Sequence, residues 1–152
     1  MEIRIAGPEL WPQIREGVLE LLRELGQEAD DLGDFDAARF EREWRADPER
    51  MRALVALDDA GSLAAVATLA QSFAIYAGGR YGILLEMYVK RAHRSKGLGA
   101  ELLRRAVAYG RSRGWSRIEV TAPEGNQWSR TVAFYERNGF RYAGPKLKIP
   151  IE

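Results

Sequence analysis

Apolar residues follow two different periods along this chain. Stretches that alternate apolar and polar residues, or that cluster β-branched and aromatic residues, predict β-strands. Turn residues separate them: Asp58-Asp59-Ala60-Gly61 lies between two strands that should form an antiparallel hairpin, and Ala77-Gly78-Gly79 turns the chain into the next strand. The stretch 63–75 is long for a single strand, so a bulge or bend is expected within it. The predicted strands are 3–6, 51–57, 63–75, 81–89 and a short strand through Ile118 and Val120.

Elsewhere apolar residues recur at steps of three and four, which is the period of an amphipathic helix. Four helices are predicted in this way. The first ends at Gly26, the third at Gly114 and the fourth at Gly139. The second ends at Asp47-Pro48, because a residue before proline avoids helical backbone angles. The core-facing residues are Trp11, Ile14, Val18, Leu21, Leu22 and Leu25 in the first helix, Ala37, Phe40 and Trp44 in the second, and Leu102, Leu103, Ala106 and Val107 in the third, while the fourth spans 129–137.

The order of these elements predicts the architecture. The strand 84–89, the third helix and the strand 116–121 form a strand–helix–strand unit, whose strands should be parallel neighbours joined by a right-handed crossover. The tail 140–151 is expected to add one or two closing strands. The fold class is therefore α/β, with a mixed, mostly antiparallel sheet of six or seven strands, a central parallel pair and helices on both faces. Residues 1–152 are expected to form a single domain.

The composition excludes several kinds of functional site. The chain has no cysteine and one histidine, which excludes disulfides, a thiolate metal site and a cysteine nucleophile and argues against a metal centre. The formal net charge is +1, with acidic and basic residues mixed, so no general attraction to nucleic acid or anionic membranes is expected. The sequence shows neither the pattern of a signal peptide nor an apolar run of about 20 residues. A cytoplasmic location is the expectation.

The segment Arg94-Ser95-Lys96-Gly97-Leu98-Gly99 joins a predicted strand to a predicted helix. The first N–H groups of a helix have no partner within it, and the helix dipole is positive at this end, so an anion is favoured here. Arg91, Arg94 and Lys96 add positive charge, and the glycines allow the backbone to approach a phosphate. Two known phosphate loops do not fit. A Walker loop needs Lys-Ser or Lys-Thr after its last glycine, and a dinucleotide fingerprint needs a third glycine where Leu102 stands.

The same segment matches the Arg/Gln-x-x-Gly-x-Gly/Ala signature of the GNAT superfamily of N-acetyltransferases, and two further stretches resemble this family. They are Met87-Tyr88-Val89 at the end of the preceding strand and Phe134-Tyr135-Glu136-Arg137-Asn138-Gly139-Phe140 downstream. The resemblance extends from about residue 84 to residue 140 and implies a GNAT-like sheet and an acetyl-CoA-dependent N-acetyltransferase. It also implies that the cofactor diphosphate is bound by Arg94, Ser95, Lys96, Gly97, Leu98, Gly99 and Ala100, and the pantetheine arm by the backbone of Met87, Tyr88 and Val89 between two strands that splay apart.

Acetyl transfer from a thioester to an amine needs a base for the ammonium proton and benefits from an acid for the departing thiolate. Glu86 is the only acidic residue in an otherwise apolar predicted strand, and alternation places it on the same side as Tyr88. It is either the base, acting through a water as the resemblance suggests, or a carboxylate paired with an arginine across the sheet. Tyr135 falls on the tyrosine of the family's Phe-Tyr-Glu motif, which implies the acid; the alternative is a tyrosine packed on the sheet.

The sequence leaves the acceptor open. The acidic segment 27–36 is either a solvated connection or, as the resemblance implies for the link between the first two helices, the rim of an acceptor pocket. In the second case Asp31 and Asp34 would favour a small cationic amine. Trp128 stands where the family often has an asparagine. It either walls the acceptor pocket or packs in the core, and Asn126 either takes over the asparagine's cofactor contact or leaves that contact absent.

Two further alternatives concern the whole protein. A protein N-terminus or lysine is the alternative to a small amine as acceptor. A catalytically silent acyl-CoA-binding sensor is the alternative to an enzyme. Dimers are common in the family, and the apolar tail 147–151 is a candidate surface for a homodimer.

Overall fold

The computed structural model describes residues 1–26, 36–122, 128–144, 147 and 149–151 of the chain. Within these residues lie five strands and four α-helices. The strands are β1 (Glu2–Ala6), β2 (Arg52–Leu57), β3 (Leu63–Ala74), β4 (Gly79–Val89) and β5 (Ile118–Val120). The helices are α1 (Trp11–Glu24), α2 (Ala37–Ala46), α3 (Leu98–Ser112) and α4 (Ser129–Arg137), with short 3-10 turns at Pro8–Leu10, Pro48–Arg50 and Arg91–His93. None of the helices in this part of the chain is long and apolar enough to cross a membrane.

The strands form one sheet in the order β1-β2-β3-β4-β5. Each neighbouring pair is antiparallel except β4 and β5, which run parallel and are joined through α3. This confirms the mixed, mostly antiparallel sheet and its parallel pair. A strand–helix–strand unit fixes this arrangement because a parallel pair needs a crossover connection.

The predicted count of six or seven strands is wrong for the described residues, which form five. The difference lies in the tail, where residues 140–144, 147 and 149–151 form no strand. Leu147, Ile149 and Ile151 are 82–92% exposed, so neither a sheet edge nor a core covers these side chains. The sequence also places Pro145 and Pro150 in this tail, and each withholds a backbone N–H from any ladder.

The pairing of β3 with β4 shifts by one residue in the middle of both strands. Thr68 pairs with Glu86, whereas the next residue, Leu69, pairs with Leu84, so Leu85 is an extra residue on β4. The bulge or bend expected in the long stretch 63–75 is therefore present, but the extra residue lies on the partner strand, β4. A bulge of this kind bends its strand and ends regular pairing.

The sheet separates two cores, one on each face. Successive residues of β2 point to opposite sides, so Val55 packs with α1 and α2 while Leu54 packs with α3. The first core contains Trp11, Ile14, Val18 and Trp44, and the second contains Leu102, Leu103 and Ala106. This confirms the predicted helices on both faces.

Candidate active site

The glycine-rich segment forms the turn between β4 and α3. Gly97 is the N-cap of α3 and has φ 79°, in the left-handed region that favours glycine. The first helical hydrogen bond runs from the Glu101 N–H to the Gly97 carbonyl at 3.1 Å, which leaves the N–H groups of residues 98–100 without a helical partner. Free N–H groups at the positive end of a helix, flanked by basic side chains, fit a diphosphate.

Gly99 has a packing role at this helix start. A Cβ at this position would lie 3.1 Å from Cζ of Phe134 and 3.5 Å from Cε of Met87. The missing side chain therefore allows α3 to begin close to α4 and β4. Sequence reasoning assigned both glycines to the approach of a phosphate, whereas the structure shows that Gly99 also meets these two side chains.

The charges beside this turn are already partly paired. The Nη2 atom of Arg94 donates to both carboxylate oxygens of Glu24, at 3.0 and 2.7 Å, and its Nε donates to the Val89 carbonyl at 2.8 Å. Arg91 lies 3.6 Å from the same carboxylate. The Arg94 guanidinium also lies 5.3 Å from the ring centre of Tyr88, within range of a cation–π interaction. Sequence reasoning missed Glu24, because a glutamate on a helix gives no sign of which loop it faces.

The parallel pair opens next to the bulge. Pairing between β4 and β5 covers Gly82 with Ile118, Ile83 with Glu119 and Leu84 with Val120, and stops there. A cavity of about 320 Å³ lies beyond this point. Its walls come from both strands and from α1 and α4: Leu21, Glu24, Leu25, Leu85, Glu86, Met87, Tyr88, Val89, Arg94, Val120, Thr121, Trp128, Thr131 and Tyr135. We call this cavity the β4–β5 groove.

Glu86 lines this groove and lies opposite Thr68 on the neighbouring strand β3. The Thr68 hydroxyl donates to a Glu86 carboxylate oxygen and accepts the Glu86 N–H at 3.0 Å. Thr68 is 1% exposed, so this contact is held in the core. Glu86 and Tyr88 share the α1 side of the sheet, whereas Met87 packs on the α3 side, as alternation predicted.

A second cavity, of about 290 Å³, lies between the sheet and the helices α1 and α2. It is lined by Trp11, Ile14, Val18, Asp36, Arg39, Phe40, Glu43, Met51, Thr68 and Glu86. We call it the α1–α2 cavity. Glu86 contributes to the walls of both cavities, and among the described lining residues no other does so.

Tyr135 lies on α4 and lines the β4–β5 groove. Its ring packs between Phe134 and Phe140, each with a centroid separation of 5.4 Å. Burial raises the pKa of its hydroxyl to about 12, because the charged phenolate would lose its hydration. The side chain therefore carries its proton at neutral pH.

The remaining predicted site residues are distributed as follows. Trp128 lines the β4–β5 groove and is not part of the α1–α2 cavity wall. Asp31, Asp34 and Asn126 lie outside the described residues. Asp36 caps α2 by accepting the Arg39 N–H at 2.9 Å and lines the α1–α2 cavity.

Sequence reasoning placed Trp11 and Phe40 in the core and did not consider Met51 or Glu43 as site residues. The structure puts all four on the wall of the α1–α2 cavity. Helical periodicity marks the buried side of a helix, but it does not separate a core side chain from one that borders a cavity.

Two cavities share the carboxylate of Glu86, and the start of α3, whose geometry fits an anion, lies beside one of them. The model of the GNAT acetyltransferase family matches residues 15–140. The chain therefore belongs to the GNAT family of acetyltransferases, it is an N-acetyltransferase, and its cofactor is acetyl-CoA. No curated protein sequence matches the chain.

Solved structures of acetyltransferases share this fold at low sequence identity. A predicted acetyltransferase from Clostridium acetobutylicum, solved with acetyl-CoA, has a TM-score of 0.78 at 19% identity, with 98% of this chain and 95% of that chain covered. A ribosomal-protein-alanine N-acetyltransferase from Brucella melitensis biovar Abortus 2308 has a TM-score of 0.72 at 20% identity, with 99% and 100% covered. An aminoglycoside acetyltransferase from an uncultured soil sample has a TM-score of 0.72 at 19% identity, with 99% of this chain and 98% of that chain covered.

Proposed function

We propose that this protein transfers the acetyl group of acetyl-CoA directly to a primary amine while both ligands are bound. The observation that carries the proposal is the position of Glu86, which lines the β4–β5 groove and the α1–α2 cavity together. A cofactor arm in the groove and an amine in the cavity would meet at this carboxylate. Direct transfer is also consistent with a chain that has no cysteine to carry an acyl group.

The cofactor is assigned to the groove and to the start of α3. Residues 94–100 would bind its diphosphate through the free N–H groups of α3 and the side chains of Arg94, Ser95 and Lys96. The backbone of residues 87–89 would hydrogen-bond the pantetheine arm where β4 no longer pairs with β5. When bound, acetyl-CoA supplies a thioester whose C–S bond breaks as the amine nitrogen forms the new C–N bond.

Glu86 would accept the proton that the ammonium must lose before attack, through an intervening water. The hydrogen bond donated by the Thr68 hydroxyl orients the carboxylate. Tyr135 would return a proton to the departing sulfur. A phenol with a pKa of about 12 is a weaker acid than a free thiol, so the transfer relies on positioning and on burial, which raises the thiol pKa in the same direction.

A small amine is favoured over a protein N-terminus or lysine. The α1–α2 cavity has the volume of a small-molecule site. Among the described residues, its walls carry the carboxylates of Asp36, Glu43 and Glu86 and one guanidinium, that of Arg39. A net negative lining attracts an ammonium group. The acceptors named for two of the structural neighbours, an aminoglycoside and a ribosomal protein, belong in the test panel.

The first experiment is calorimetric titration with acetyl-CoA. Lys96→Glu reverses a charge beside the start of α3 and should raise the Kd at least about tenfold. Arg111→Glu makes the same change in net charge near the other end of α3, where Arg111 is exposed, and serves as the matched control. No binding by the folded wild type would reject the cofactor assignment to this groove.

The second experiment measures CoA release with a panel of amines that includes kanamycin, a peptide beginning with alanine and simple alkylamines. Turnover with any of them supports direct transfer. Tight acetyl-CoA binding without transfer to any amine would instead favour a protein that senses acyl-CoA.

A further inference from the structure

The α1–α2 cavity carries information about the acceptor beyond its being an amine. Resting on the proposed function, we propose that the acceptor is a small apolar primary amine with a single positive charge, of the alkylamine or arylalkylamine class. The distribution of apolar and polar side chains along the cavity carries this inference.

Half of the wall is apolar. Trp11, Ile14, Val18 and Met51 are 1–7% exposed and present carbon atoms to the cavity. Phe40 is half-buried, and its ring centre lies 5.0 Å from that of Trp11. These apolar residues come from α1, from α2 and from the position just before β2. Such a surface favours a ligand with a hydrocarbon or aromatic body.

The described polar residues of the cavity fall into an inner, buried set and an exposed set. Thr68 is buried and Glu86 is half-buried, and Glu86 also lines the β4–β5 groove. Asp36, Arg39 and Glu43 are exposed and form the rim. At this rim Arg39 lies 3.8 Å from Glu43 and donates its backbone N–H to Asp36. The amine nitrogen is therefore expected at Glu86, with its carbon body among the apolar side chains.

This arrangement selects against amines that carry further polar groups close to the reacting nitrogen. A second ammonium group three carbons away, or the hydroxyl groups of an amino sugar, would lie against the apolar wall and lose hydration without a partner among its side chains. An amine with a longer apolar body should instead be acetylated with a higher kcat/KM. Each further methylene group removed from water should raise this value about fourfold.

The test compares amines that differ in apolar length or in the number of polar groups. Propylamine, butylamine and pentylamine should show kcat/KM rising about fourfold per methylene. Butylamine should exceed 1,3-diaminopropane, which has the same number of heavy atoms, at least about tenfold, and phenethylamine should exceed glucosamine. Because the chain has no cysteine, a thiol reagent will report released CoA without background from the protein.

A variant connects the preference to the wall. Phe40→Ala should lower kcat/KM for phenethylamine at least about tenfold and leave the Kd for acetyl-CoA unchanged, and Phe40→Leu should recover part of the loss. Phe73→Ala is the control, because Phe73 is 77% exposed on β3 and is not among the cavity residues.

Three results would overturn the acceptor class and leave the proposed transfer intact: a higher kcat/KM for the diamine, for glucosamine or for a peptide amine. If acetyl-CoA binds and no amine is acetylated, the proposed transfer fails, and calorimetry with phenethylamine on the acetyl-CoA complex then decides the class. Binding that Phe40→Ala weakens would support an apolar-amine site, and absence of binding would reject it.

Discussion

Tyr135 shows how packing can tune a single residue. Its ring is fixed between Phe134 and Phe140, so the removal of the hydroxyl should leave the groove in place. Tyr135→Phe is expected to lower kcat about 10²-fold, the scale of a lost general acid, with an unchanged Kd for acetyl-CoA. Steady-state kinetics and calorimetry on the same preparation measure both. An unchanged kcat would show that the residue only packs.

The raised pKa of Tyr135 also predicts how stability depends on pH. The folded-state value is about 12, whereas an exposed tyrosine titrates near 10. The folded protein therefore holds this proton more tightly, so the stabilisation is complete below about pH 10 and is lost as the pH rises towards 12. Across this window the melting temperature of the wild type should fall more steeply with rising pH than that of Tyr135→Phe. Parallel curves would contradict the assignment.

Glu24 places a negative charge in the proposed cofactor groove. Its carboxylate holds Arg94 at 2.7 Å and lies 3.6 Å from Arg91. Glu24→Gln should therefore strengthen acetyl-CoA binding several-fold, because it removes a negative charge from the approach of an anion. Glu16→Gln, at an exposed position on the same helix, is the matched control. Weaker binding by Glu24→Gln would mean that the pair positions Arg94 for the cofactor.

At the scale of elements, deletion of one residue should remove the bulge in β4. The residue pairs on either side of the bulge would keep their present register with β3. Leu84 faces the α3 side and Glu86 the α1 side, so deletion of Leu85 would restore regular alternation with β3. The shortened strand loses the bend that ends its pairing with β5. The deletion variant should fold and bind acetyl-CoA at least about tenfold more weakly. Circular dichroism and calorimetry check the two parts, and full cofactor affinity would exclude a role for the bulge.

The approach of α3 to the sheet depends on glycine. A Cβ at Gly82 would overlap the indole ring of Trp115, and one at Gly110 would lie 2.8 Å from the same ring. Gly82→Ala should destabilise the fold by about 1–3 kcal/mol through overpacking. Urea unfolding measures this change. A second substitution, Trp115→Leu, should offset part of the cost, and additive losses in the double variant would argue against this contact.

For the whole molecule, cofactor binding should raise thermal stability, because the groove draws on α1, β4, β5 and α4. At 100 times the Kd, acetyl-CoA is expected to stabilise the folded state by about 2.7 kcal/mol, or roughly 5–10 °C in Tm for a chain of this length. Lys96→Glu should lose most of this shift at the same concentration. A wild type without any shift would contradict binding to the folded state.

The sequence predicted the order of the elements because their hydrophobic periods and turn residues are clear, as in the hairpin at 58–61 and the glycine turn before α3. It did not show that Leu85 is the bulged residue, since strand length does not reveal which of two partners carries an insertion. The prediction of closing strands was wrong because Leu147, Ile149 and Ile151 alternate as in a strand but pair with no described strand of the sheet. Contacts between residues that are far apart in the sequence, such as Glu24 with Arg94, can be identified only from the folded structure.

The two cavities share a single described residue, Glu86, and among the described lining residues those of α2 belong to the α1–α2 cavity alone. Substitutions in α2, such as those at Phe40 or Glu43, can therefore alter the acceptor while the elements that hold the cofactor stay the same. Such a division makes the chain a suitable starting point for laboratory evolution. A library confined to the residues that α2 and its N-cap contribute to the α1–α2 cavity would explore new amines on an unchanged acetyl-transfer scaffold.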